Sequence, residues 1–218
     1  IFTDRETVNK VEKMKVCTCL NPLHTALAIF GCLLGYTLIS EEMKNPVLKA
    51  LVEKIGYQEG LPVVVDPGII RPADFLAEVL NVRIPNPFMP DTPQRIATDT
   101  SQKLPIRFGE TIKAYEASDT LQVSDLVLIP LVFAGWLRYL MGIDDLGRPF
   151  EKSPDPLLDT LTPYVEGFSL GHVADVKERL QPLLKRSDIF GVDLYECGLA
   201  EKVLLHFEEM TAQPGAVA

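Results

Sequence analysis

Basic charge is scarce in this sequence. Over 218 residues, 21 Lys and Arg stand against 30 Asp and Glu, a formal net charge of −9. A surface for nucleic acid or an anionic membrane needs the opposite balance, so neither partner is expected; a local basic pocket for a small anion stays open. Glycine loops that cradle phosphate are also missing. Neither G-x-G-x-x-G nor G-x-x-x-x-G-K-[ST] occurs, and no run of alternating strand and helix units would carry one. Any redox cofactor must therefore sit mainly on residues outside this chain. Cysteine is limited to Cys17, Cys19, Cys32 and Cys197. The first two form C-x-C, and no second Cys/His pair completes a zinc site. No metal is expected, and the thiols read as free, small hydrophobes of a reducing cytoplasm. The polar first fifteen residues do not look like a secretory signal.

Long apolar stretches are present, and they read as helices. Asp4 to Met14 is a charged helix with Val8 and Val11 on one side. Asn21-Pro22 is a helix start, with Asn as N-cap and Pro in the first helical position. The following HTALAIFGCLLGYTL is apolar almost all round, as a helix buried on every side should be. A core helix is a better reading of it than a membrane span, and Gly31 and Gly35 would let a neighbour approach closely. Asn45 to Gly56, Arg71 to Leu80, Val123 to Met141, Val173 to Leu184 and Leu194 to Met210 are further helical runs. From Thr92 to Tyr115 the pattern is helical with a break at Leu104-Pro105. Leu61 to Val65 is a short candidate strand, weakened by Pro62. Trp136 reads as core and Arg138 as a snorkelling edge. The class is all-α, a multi-helical domain packed round a central apolar helix with little or no sheet.

Two clusters carry polar groups in unusual settings. In the first, Lys15 leads into Asn21 and His24, which are three apart and share a helical face at the head of an otherwise apolar helix. In the second, Asn86-Pro87, Asp91, Arg95 and Lys103 follow in order. Arg95 and Lys103 would lie within roughly 80° of one another on a single helix. Taken singly, each residue has a plainer role: Asn21 a cap, His24 a satisfied histidine, the lysines and arginine solvated charges.

As an ordered set, these residues resemble the C-terminal half of the long-chain, metal-independent polyol dehydrogenases, the family of mannitol 2-dehydrogenase and fructuronate (mannonate) oxidoreductase. That family carries a Lys, an Asn five residues on and a His three further. An N-P-x-x-x-D-x-x-x-R segment follows, with a Lys eight residues after the Arg. Here Asn21, His24, Asn86-Pro87, Asp91, Arg95 and Lys103 stand at matching separations, and Ala134 to Pro156 is similar as well. One departure is visible: Lys15 lies six residues before Asn21 instead of five, which leaves Lys13 as an alternative.

The resemblance implies that residues 1–218 form a helical C-terminal substrate domain, with the N-terminal dinucleotide-binding domain lying outside this chain as its partner. It implies NAD as cofactor, bound mainly by that other domain, and a sugar acid or polyol as substrate. Lys15, Asn21 and His24 would be catalytic. Arg95 and Lys103 would bind substrate. Such a lysine accepts the hydroxyl proton while hydride leaves, which requires desolvation or like charges to favour its neutral form. The amide and imidazole donate to the oxygen as it gains charge. The fragment alone would show no turnover. A reading from another class is a helical interaction module without catalysis.

Overall fold

The computed structural model describes residues 4–218. Among them the architecture is helical, and the only β-type pairings are isolated bridges, Ile143 with Pro149 and Ser169 with His172. Helix α1 (Arg5–Met14) starts on Asp4, whose carboxylate accepts from the Thr7 amide at 2.9 Å. It runs through a π-turn, Lys15–Cys19, into α2 (Asn21–Leu34). By length and composition the run Arg5–Leu34 could cross a membrane, but 78% of its most apolar window is buried inside the fold. Helix α2 ends on Gly35 at φ 76°, so this glycine serves as a left-handed C-cap and not, as the sequence suggests, as a packing face.

Two helices, not one, form the centre. Helix α9 (Leu128–Leu140) is buried almost all round like α2. The two meet where Gly135 faces Phe30: a Cβ on Gly135 would lie 2.8 Å from Phe30 Cζ. Edge-to-face rings fix the adjoining core, Phe133 on Phe108 at 5.8 Å and on Phe190 at 4.9 Å, with Trp136 on Phe190 at 5.8 Å. Against this centre pack α3 (Ile39–Glu42), α4 (Pro46–Lys54), α6 (Pro93–Ile96), α12 (Ser187–Phe190) and α13 (Ala200–Thr211), and α5 (Pro72–Glu78), α7 (Thr100–Leu104), α8 (Glu110–Glu116), α10 (Leu158–Leu161) and α11 (Val176–Leu184) complete the surrounding layer.

Several boundaries differ from the sequence reading, each for a local reason. Leu61–Val63 is a 3-10 turn, not a strand. The apolar run from Val123 is broken before α9 because the amides of Val127, Leu128 and Ile129 turn to an acceptor from elsewhere, the buried carboxylate of Glu59, at 2.7, 2.7 and 2.9 Å. Arg138 does not reach solvent. It is 0% exposed, and its guanidinium holds the carbonyls of Ile143 at 2.8 Å and Asp144 at 2.7 Å. Pro105 does not break the 100–116 run. The chain widens into a π-turn, Pro105–Gly109, that accommodates the missing amide and continues into α8. This turn is tight against α12: a Cβ on Gly109 would sit 2.7 Å from Gly191 Cα.

Gly31 is the close-approach glycine. A Cβ there would collide with the Glu42 carboxyl and lie 2.8 Å from Pro93 Cγ. The gap at Gly31 thus lets α3 and α6 settle on α2, which brings the segment carrying Arg95 alongside the helix carrying His24.

Candidate active site at the head of the buried helix

The first cluster is built by the π-turn. A π-turn closes an i to i+5 hydrogen bond and takes up one residue more than an α-turn; here the Leu20 amide donates to the Lys15 carbonyl at 3.1 Å. The π-turn ends at Leu20, whose non-helical backbone angles separate it from α2. The Lys15 ammonium lies over the Phe75 ring, 5.7 Å from its centroid, and the Arg83 guanidinium lies over the same ring at 5.0 Å. Lys13, the alternative, pairs with Glu110 at 3.7 Å.

Asn21 is not the N-cap. Leu20 holds that position with φ −135° and ψ −64°, and its carbonyl accepts from the His24 amide at 3.1 Å. Asn21 is the first helical residue. Its backbone carbonyl accepts from Thr25 Oγ1 at 2.8 Å, while its side-chain amide has no hydrogen-bond partner among the described residues. The His24 ring is likewise without one. Burial lowers the pKa of His24; Asp91 opposes that shift, and Arg107 and Arg95 add to it. The imidazole is thereby held neutral near pH 7, with one N–H to give. Two half-buried donors at the head of α2 thus have no hydrogen-bond partner among the described residues.

The second cluster occupies two helices, not the single one its spacing suggests. Thr92 caps α6, accepting from the Arg95 amide at 3.1 Å. The Arg95 side chain, 64% exposed, pairs with Asp91. Between α6 and α7, Asp99 adopts φ 53° and its amide donates to the Pro154 carbonyl at 2.8 Å. Lys103 reaches from α7 back to the end of α6, its ammonium donating to the carbonyls of Ile96, at 3.0 Å, and Thr98. Desolvation lowers its pKa, and Arg107 and Arg95 add like charge. The two predicted substrate-binding cations are therefore within electrostatic reach of each other, and Arg95 of His24.

Sequence reasoning missed Arg107. The π-turn at Pro105 carries its guanidinium to α2, where Nη1 donates to Thr25 Oγ1 at 2.6 Å. The sequence held one signal: Arg107 follows Lys103 by four residues, one helical turn. A cavity of about 610 Å³ lies next to this site, lined among others by Cys32, Tyr36, Gln94, Arg95, Lys152 and Ser153. It shares Arg95 with the cluster but is not lined by Lys15, Asn21, His24 or Lys103.

Residues 7–211 match the description of the mannitol dehydrogenase C-terminal domain. A D-mannonate oxidoreductase of Thermotoga maritima is 61% identical over 216 residues, covering 99% of this chain and 40% of that protein. An uncharacterised oxidoreductase of Escherichia coli K12, YdfI, is 36% identical over 183 residues, covering 84% of this chain and 35% of its own length. Among solved structures, the mannitol 2-dehydrogenase of Pseudomonas fluorescens, in ternary complex with NAD and D-mannitol, superposes with a TM-score of 0.76. That match has 27% identity and covers 96% of this chain and 39% of that one. The chain thus spans about two fifths of the length of these relatives.

Proposed function

The chain belongs to the family of mannitol dehydrogenase C-terminal domains, and on that premise we propose that it is the substrate-binding, catalytic half of an NAD-dependent oxidoreductase. The reaction interconverts a keto-sugar acid and its alditol acid, of the fructuronate and mannonate type. The observation that carries this reading is the pair of unpartnered donors, Asn21 and His24, at the head of an otherwise apolar buried helix. Neither side chain is sealed from water, so each is open to something that enters beside the helix. In the reading offered here, that something is the reacting oxygen.

Lys15 acts as the base, taking the hydroxyl proton of the alcohol and returning it to the oxygen in the reverse direction. The Asn21 amide and the neutral His24 N–H donate to that oxygen as negative charge develops, a contribution worth roughly 10²- to 10³-fold per donor. Arg95 and Lys103 orient the substrate's hydroxyls. NAD supplies the hydride acceptor. The described residues have no βαβ unit and no glycine-rich phosphate turn to seat it, so the dinucleotide belongs on the rest of the protein, the proposed partner of this domain. The free thiols fit a cytoplasmic setting. A polyol 2-dehydrogenase is the second reading, favoured by the likeness to the mannitol 2-dehydrogenase.

The test is turnover by the full-length protein with NADH and D-fructuronate, D-tagaturonate or D-fructose. NADH oxidation with D-fructuronate is expected, and silence with all three would defeat both readings.

A further inference from the structure

We propose that Arg107 grips the substrate's carboxylate and so sets the preference for a sugar acid over a neutral ketose or polyol. The inference rests on the dehydrogenase reading above and deepens it.

Arg95 and Arg107 reach His24, Lys103 reaches both arginines, and two of these three cations are already engaged. Arg95 is paired with Asp91, and Lys103 with the carbonyls of Ile96 and Thr98. Arg107 makes a single hydrogen bond, to Thr25 Oγ1 at 2.6 Å, and no carboxylate pairs with it among the described residues. A guanidinium carries five N–H donors in a planar fork matched to a carboxylate, so four remain. The side chain is half-buried, and desolvation takes its pKa down to about 10 with no acidic neighbour to offset it. A desolvated cation with no counter-ion is expensive for a fold to hold, and a bound anion removes that cost.

Its placement suits the far end of a sugar acid. Thr25 accepts from Arg107 and donates to the Asn21 carbonyl at 2.8 Å. The guanidinium is thereby anchored to the first turn of α2, the turn that bears Asn21 and His24. It is also close enough to His24 and Lys103 to influence both. In an acyclic uronate the carboxylate is separated from the reacting carbonyl by several carbinol carbons. Its anchor must therefore stand beside the oxyanion donors and not among them. Arg95 is a weaker candidate because it is largely in solvent and already paired.

The experiment uses the full-length enzyme with NADH. For Arg107→Gln, KM for D-fructuronate is expected to rise at least 30-fold while kcat falls less than threefold, and turnover of D-fructose to stay within threefold of wild type. Arg107→Lys keeps the charge but not the fork, and should give an intermediate KM for the acid; it also decides the matter if the Gln variant does not fold. Calorimetric binding of D-mannonate should weaken in parallel, with NADH binding unchanged. An equal loss on both substrates, a fall in kcat at constant KM, or no change overturns the proposal, because each makes Arg107 a strut for α2. A wild-type enzyme that reduces D-fructose but not D-fructuronate overturns the carboxylate assignment alone. One that reduces neither overturns the dehydrogenase reading with it.

Discussion

Neither carboxylate oxygen of Glu42 has a hydrogen-bond partner, although the side chain is 0% exposed. Burial raises its pKa to about 9, so it is held as the neutral acid in the folded chain and as the carboxylate in the unfolded one at neutral pH. The native state therefore binds the extra proton. That contribution to stability is complete below the ordinary 4.5 and drains away as pH climbs toward 9, at up to about 1.4 kcal/mol per pH unit. Glu42→Gln should accordingly gain on wild type in denaturant titrations as pH rises from 5.5 to 8.5, and a gap independent of pH would contradict this. At the same scale, Asn21, His24, Arg95 and Lys103 could be named as candidates because their order and spacing lie in the sequence itself. Arg107 was not, because its partner Thr25 is 82 residues away and only the fold joins them.

Periodicity exposed the helices and hid how they connect. Helix α2 is so apolar that burial on every side followed from composition, whereas α9 read as apolar with Arg138 at a snorkelling edge and is buried there too. The π-turns have no such signature. The one at Lys15–Cys19 showed only as a spacing one residue too long, and the one at Pro105–Gly109 looked like a stop. Nor could the sequence reveal that α9 is capped from a distance, since Glu59 lies 68 residues before Val127. Burial pushes the Glu59 pKa up, while the three amides and Lys202 pull it down. Removing this cap leaves three amides of a partly buried helix start without their acceptor. Glu59→Ala should cost on the order of 2 to 4 kcal/mol in denaturant unfolding, and Glu59→Gln less, since its amide oxygen can still accept. A loss under about 0.5 kcal/mol for Glu59→Ala would show that the cap contributes little.

For the molecule as a whole, the helical class was legible because nothing in the sequence alternates, and the family because its marker residues come in order. What one chain could not reveal is the packing of α6 onto α2 through Gly31, which brings Asp91 and Arg95 within electrostatic reach of His24. The proposed function divides labour between this domain and a dinucleotide-binding remainder of the protein. The 218 residues purified alone should therefore fold to a helical unit, by circular dichroism, yet show no NADH oxidation. Turnover by the isolated chain would refute that division.

The most direct measurement is the steady-state rate of the full-length enzyme, with NADH and its best sugar substrate, for Lys15→Ala and His24→Ala. A fall in kcat of roughly 10²- to 10⁴-fold is expected for loss of the base and of roughly 10²- to 10³-fold for loss of the oxyanion donor. Both variants should remain folded and bind NADH as wild type does. Rates within about tenfold of wild type for both variants, a difference of no more than about 1.4 kcal/mol in barrier, would contradict the proposed function.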